Sequence, residues 1–103
     1  MSSETIRALT MPKFGLTMRE GTLAKWSVSE GTLLARGDEV ATIETDKITN
    51  ALEASASGVL RRKVADEGVT LPVGALLGVM APANVPDGEI DAFVSGFEPQ
   101  RMA

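Results

Sequence analysis

Short runs in which apolar and polar residues alternate recur along the chain, each closed by a turn signal. Such alternation puts the apolar side chains on one face of an extended strand. Thr22 to Val28, Glu39 to Thr45, Val59 to Ala65 and Leu76 to Ala81 read as strands of this kind. Glu30-Gly31, Gly37, Glu67-Gly68 and Gly74 read as the turns between them. The pattern occurs twice. With residue 21 set against residue 58, Gly21 meets Gly58, Leu23 meets Leu60, Glu30-Gly31 meets Glu67-Gly68, Leu34 meets Leu71 and Gly37 meets Gly74, at a constant offset of 37 without gaps. Neither copy alone can bury its apolar side chains, but two copies face to face can. The pattern therefore predicts an all-β domain with internal pseudo-two-fold symmetry, a small sandwich or flattened barrel.

The segment joining the two copies, Glu39 to Ala54, reads as a hairpin in which Thr45 pairs with Ile48, Ile43 with Asn50 and Ala41 with Leu52. That register leaves Asp46 and Lys47 as a two-residue turn. Such turns favour Asn-Gly or Asp-Gly, because glycine accepts positive φ without a steric cost. Here a lysine stands where glycine is expected, which places a primary amine at the most accessible point a hairpin offers. Taken on the turn alone, an ordinary exposed lysine is the simpler reading. Asp46 has a local role in either case, since its carboxylate can accept backbone N–H bonds and stabilise the turn. Trp26 alternates with Val28, which predicts partial core packing.

The end of the chain reads differently. Residues 82–88 hold two prolines, a glycine and an asparagine and read as a linker. Beyond them Ile90, Phe93, Val94 and Phe97 fall at helical spacing. That stretch is too short to be stable as an isolated helix. It either docks weakly or begins a further domain.

Composition narrows the chemistry. The chain has 103 residues, enough for one domain with a modest core. Its net charge is −4, which argues against nucleic-acid binding. The Arg61-Arg62-Lys63 cluster reads as a solvated strand edge. No apolar stretch approaches membrane-spanning length and no N-terminal run resembles a signal peptide, so a cytoplasmic location is expected. There is no cysteine and no histidine, which removes disulfides, thiolate nucleophiles, serine–histidine triads and the usual zinc sites. The carboxylates are scattered and no phosphate-cradling glycine loop is present. If this polypeptide takes part in bond chemistry, a bound group must supply the reactive atoms.

Two motifs carry a resemblance over about residues 5–82. Glu44-Thr45-Asp46-Lys47 is similar to the acidic-x-Asp-Lys run that carries the modified lysine of lipoyl domains. Met11-Pro12-Lys13-Phe14-Gly15-Leu16-Thr17-Met18-Arg19-Glu20-Gly21 resembles the Met-Pro-x-x-Gly-x-x-Met-x-Glu-Gly opening of lipoyl domains from 2-oxo acid dehydrogenase acyltransferases, the E2 components. The resemblance implies a flattened β-barrel, a barrel-sandwich hybrid of two four-stranded antiparallel sheets, with lipoic acid joined covalently to Lys47. It implies that Glu44, Thr45 and Asp46 guide the lipoylating enzyme. It also implies that Phe14, Leu16 and Met18, on an exposed loop from Pro12 to Arg19, contribute to recognition by the thiamine-dependent dehydrogenase E1. The alternative for that loop is simple packing on the barrel edge.

The implied role is a swinging-arm carrier. Acyl groups and electrons pass from E1 to the lipoyl group, the E2 acyltransferase core takes the acyl group to coenzyme A, and dihydrolipoamide dehydrogenase (E3) restores the disulfide. A lipoate ligase or lipoyl transferase is the further partner, and the domain by itself is expected to be a monomer and not an enzyme. Residues 83–103 are then a linker or flexible C-terminal tail. The tail run Asp91 to Phe97 faintly resembles the linker of acetoin-cleaving acyltransferases. Three alternatives fit the residues less well. A biotinyl carrier usually has methionine on both sides of its lysine, whereas Asp46 and Ile48 flank Lys47. The glycine-cleavage carrier is less similar at the Met11 to Gly21 opening. An unmodified barrel used only for binding leaves the lysine turn unexplained.

Overall fold

The structure, a computed structural model, describes residues 6–15, 18–46 and 48–97. Eight strands precede one helix: β1 (Arg7–Thr10), β2 (Glu20–Trp26), β3 (Leu33–Leu34), β4 (Glu39–Glu44), β5 (Thr49–Glu53), β6 (Gly58–Lys63), β7 (Thr70–Pro72), β8 (Leu76–Ala81) and α1 (Asp87–Gly96). They form two four-stranded antiparallel sheets, ordered β1-β8-β6-β3 and β5-β4-β2-β7. The fold is the all-β flattened barrel-sandwich that the pattern predicts. Strand β2 begins and ends two residues earlier than alternation suggested, and β6 begins one and ends two residues earlier.

The 37-residue repeat is a true structural symmetry. Exchanging β2 with β6, β3 with β7, β4 with β8 and β1 with β5 turns one sheet order into the other. The two copies trade strands: β3 of the first pairs with β6 of the second, and β7 of the second pairs with β2 of the first. Hydrogen bonds repeat in step. Gly31 N–H donates to Leu60 O at 2.7 Å, and Gly68 N–H to Leu23 O at 2.6 Å. Leu60 N–H donates to Thr32 O at 3.0 Å, and Leu23 N–H to Val69 O at 2.9 Å.

The four turn glycines explain themselves. Gly31, Gly37, Gly68 and Gly74 have φ of 94°, 93°, 88° and 92°, a region that L side chains rarely adopt. The glutamates before two of them are also structural. Glu67 Oε2 accepts from Trp26 N–H at 2.9 Å, and Glu30 Oε2 accepts from Lys63 N–H at 2.7 Å. Each copy thus caps the end of the other copy's long strand with a carboxylate. This is why the Glu-Gly pair recurs in both.

One core fills the space between the sheets. Leu23, Val40, Ile43, Leu60 and Leu77 are fully buried there and Met80 nearly so. Trp26 joins them, more deeply than its expected partial packing, and its indole N–H donates to Ala65 O at 3.0 Å. No polar or charged residue is buried among the described residues.

The cationic cluster departs from its sequence reading. Strand β6 lies inside its sheet, between β8 and β3, and Arg61, Arg62 and Lys63 are half-buried. Arg61 donates to Pro82 O and pairs with Asp87 at 2.8 Å, and Arg62 pairs with Asp91. Lys63 Nζ lies 5.6 Å from the centre of a Trp26 ring. Sequence alternation cannot distinguish an edge strand from an interior one with a polar outer face, so the cluster read as solvated.

Candidate functional site: a hairpin tip beside an open groove

The hairpin forms in the register that the sequence sets. Ala41 faces Leu52, Ile43 faces Asn50 and Glu44 faces Thr49. Val40, Ala41 and Ile43 are fully buried, so β4 is locked between β5 and β2 with its apolar face in the core. Beyond the last strand pair, Thr45 N–H donates to Ile48 O at 2.9 Å. The Thr45 hydroxyl both donates to Ile48 O and accepts from Ile48 N–H, each at 3.3 Å. Residues 46 and 47 are what remains between these bonded ends. Among the described residues only glycines have positive φ, so Asp46 does not adopt the primed-turn conformation that would call for glycine. The Thr45 hydroxyl reinforces the backbone bond that closes this turn.

The predicted site residues divide as follows. Glu44 and Asp46 are exposed and Thr45 is half-buried. Phe14 is 36% exposed, while Met18 is half-buried and packs against the core cluster. Phe14 N–H points at Met18 Sδ, 3.2 Å away. Lys47 and Leu16 lie outside the described residues.

Gly21 sets how closely this loop approaches. A Cβ there would stand 2.9 Å from both Met11 Sδ and Met18 Cε and 3.1 Å from Ile43 Cγ2. With only hydrogen at that position, Met18 can lie over the start of β2 and hold the segment beside the hairpin. The result is an open groove of about 780 Å³ between the hairpin tip and the Phe14–Thr22 segment. Phe14, Met18 and Ile48 supply its apolar lining, and Glu20, Glu44 and Asp46 its carboxylates. Thr22 and Thr70 hydroxyls, 2.7 Å apart, close its β2–β7 side. Ile48, Glu20 and Thr70 were not among the residues expected here. For Ile48 a signal existed: it is an apolar residue and the first after the turn. For Thr70, which arrives from the second copy by strand exchange, the sequence carried none.

Comparison with known proteins decides the family. The family model Biotin_lipoyl, described as "Biotin-requiring enzyme", matches residues 7–80. The chain belongs to this biotin/lipoyl family. Within it, the chain is 54% identical over 96 residues to the dihydrolipoyllysine-residue acetyltransferase component of the acetoin cleaving system of Cupriavidus necator. It is 50% identical over 98 residues to the component of the same description from Pseudomonas putida. These matches cover 93% and 95% of the chain but 26% of each relative, so the chain spans about a quarter of their length. Among solved structures, the lipoyl domain of the 2-oxoglutarate dehydrogenase complex of Azotobacter vinelandii superposes with a TM-score of 0.57 at 33% identity, covering 72% of this chain and 96% of that one. The chain is a lipoyl domain. Among the described residues no helix of this domain is long and apolar enough to cross a membrane.

Proposed function

We propose that this lipoyl domain carries lipoic acid in amide linkage on Lys47 and presents it in turn to E1, to an acyltransferase core and to E3 of an acetoin-cleaving or 2-oxo acid dehydrogenase complex. The observation that carries this reading is the hairpin closure. Thr45 and Ile48 are bonded backbone to backbone, and Asp46 and Ile48, the sequence neighbours of Lys47, line an open groove. A lysine between them fits amide attachment. The exposed Asp46 and Ile48 on either side fit lipoyl recognition better than the methionine flanks expected for biotin.

Lipoic acid supplies the disulfide that takes up an acyl group and two electrons. The polypeptide supplies the platform. The buried face of β4 fixes the hairpin against the core, so the tip keeps one orientation. Glu44, Thr45 and Asp46 give the lipoylating enzyme a fixed acidic and hydroxyl pattern next to the lysine. Phe14, Leu16 and Met18, with Ile48, form the surface that E1 reads. Tethering then raises the effective concentration of the arm at each active site to roughly the millimolar range. Such a domain works as a monomer in the cytoplasm.

Incubation with lipoate ligase and lipoate, followed by intact-mass measurement, tests the assignment. One lipoyl adduct is expected on the parent chain, none on Lys47→Ala, and none with a biotin ligase and biotin. An equal adduct on Lys47→Ala overturns the site, and a biotin adduct overturns the cofactor.

A further inference from the structure

The pseudo-two-fold symmetry fails at one place, and the failure coincides with the helix. On the outer face of β8 and the chain leading into β1, Ile6, Val79 and Ala81 form a second apolar cluster with Val85 and Ile90. The symmetry counterparts of Ile6, Val79 and Ala81 are Thr49, Thr42 and Glu44, all polar. Likewise Arg61 stands where the other copy has Ala24. One half of the barrel thus has an apolar patch that the other half lacks, and an extra cation in Arg61, while Arg62 keeps a cationic counterpart in Lys25. Helix α1 sits on the patch. Ile90 is fully buried, Phe93 and Val94 pack beside it, and Asp87 and Asp91 reach Arg61 and Arg62. The matches to the acetoin-system relatives leave too few residues uncovered to stop short of this helix, whereas the family model ends at residue 80.

The attachment is thin. Pro86 provides no side-chain cap, the last turn has no basic residue, and Gly88 and Gly96 lower helix propensity. Ten residues cannot sustain a helix in water unaided. Helix formation is therefore coupled to docking, and docking rests on buried Ile90, the partly buried Phe93 and Val94 beside it, and two ion pairs whose aspartates are 81% and 61% exposed. Exposed pairs of this kind are screened by salt.

We propose that α1 is a releasable latch on the barrel, held by the Arg61–Asp87 and Arg62–Asp91 pairs and the Ile90 contact, and that its docking equilibrium sets where the tether of the swinging domain begins. Docked, the folded unit extends to residue 97, and the helix spans about 15 Å at about 1.5 Å per residue. Released, residues 82–97 join the tether and lengthen its maximum reach by about 50 Å at about 3.3 Å per residue. The termini of the barrel occupy the symmetry counterpart of the hairpin tip, since Arg7 pairs with Met80 as Asn50 pairs with Ile43. No residue of α1 lines the groove, so release leaves the groove unaltered. The latch does not depend on which group Lys47 carries.

Amide hydrogen exchange on the unmodified chain tests it. In the parent, α1 amides are expected to exchange at least tenfold faster than those of β4 and β6, through local opening. The double variant Asp87→Asn/Asp91→Asn is expected to accelerate α1 exchange a further five- to tenfold with barrel amides unchanged, and Ile90→Ala more than that. Raising salt from about 0.05 M to about 1 M, which shortens the Debye length to about 3 Å, is expected to accelerate exchange in the parent but not in the double variant. Any one of three results overturns the latch: α1 amides that exchange only with global unfolding, α1 amides unprotected in the parent, or salt and charge variants without effect.

Discussion

Gly21 and Gly58 are symmetry mates in the repeat, yet the structure sets opposite outcomes for the same substitution. At Gly21 a methyl group would stand 2.9 Å from Met11 Sδ and Met18 Cε and 3.1 Å from Ile43 Cγ2. Met11 and Ile43 are buried and cannot move aside freely, while Met18 is half-buried and can. At Gly58 the nearest atom is Met80 Cε at 3.6 Å, an ordinary contact. Neither glycine has positive φ, so alanine strains neither backbone. Alanine in place of glycine reduces unfolded-state entropy and so stabilises by about 0.4–1 kcal/mol where it fits. Overpacking a filled core costs about 1–3 kcal/mol. Gly21→Ala should therefore lose about 1–2 kcal/mol net and Gly58→Ala should gain a few tenths or more. At about 4–8 °C per kcal/mol for a domain of this size, Tm should fall by roughly 5–10 °C in the first and hold or rise slightly in the second. Thermal and urea unfolding of both variants gives the numbers, and the Met18 methyl resonance reports whether the loop has been pushed off β2. Equal shifts in the two variants, or a Gly21→Ala protein as stable as its parent with Met18 undisturbed, would refute the packing account.

Glu67→Ala removes the acceptor for Trp26 N–H and should cost about 1–2 kcal/mol in urea unfolding, with Glu30→Ala costing less because its partner lies in a more exposed setting. Gly37→Ala and Gly68→Ala meet no steric neighbour but hold φ near +90°, so each should lose about 1–2 kcal/mol from backbone strain alone. Replacing Phe14, Met18 or Ile48 by Ser should slow reductive acylation by E1 about tenfold while leaving ligase modification of Lys47 intact; unchanged acylation rates in all three would remove the groove from E1 recognition. The hydrogen bond to Asp91 and the surrounding carboxylates raise the Arg62 pKa above its ordinary value, outweighing the opposing effect of burial. A raised pKa stabilises at every pH below the ordinary arginine range and is lost only above it, so carbon chemical shifts of α1 should not move between about pH 7 and about pH 10.

Turns and faces were readable from the chain because they are local. A glycine at φ near +90° and an apolar residue at every second position each report on their own neighbourhood. Gly31, Gly37, Gly68 and Gly74, the Ile43–Asn50 register and the two alike halves could therefore be read directly. The run Glu44 to Lys47 could be compared with a family motif for the same reason, since it is contiguous in the chain. Pairing across the chain is another matter. Leu33–Leu34 and Thr70–Pro72 are too short to show a period, and only closure of the barrel assigns them to the opposite copy. That exchange decides that Glu30 and Glu67 cap the partner strands and that Thr70 reaches the groove. The same holds for Arg61 and Arg62: charge in an alternating run reads as solvated until a helix from outside the repeat brings aspartates against it. Sequence specified which way each side chain faces, and the three-dimensional closure of two intertwined halves specified what it meets there.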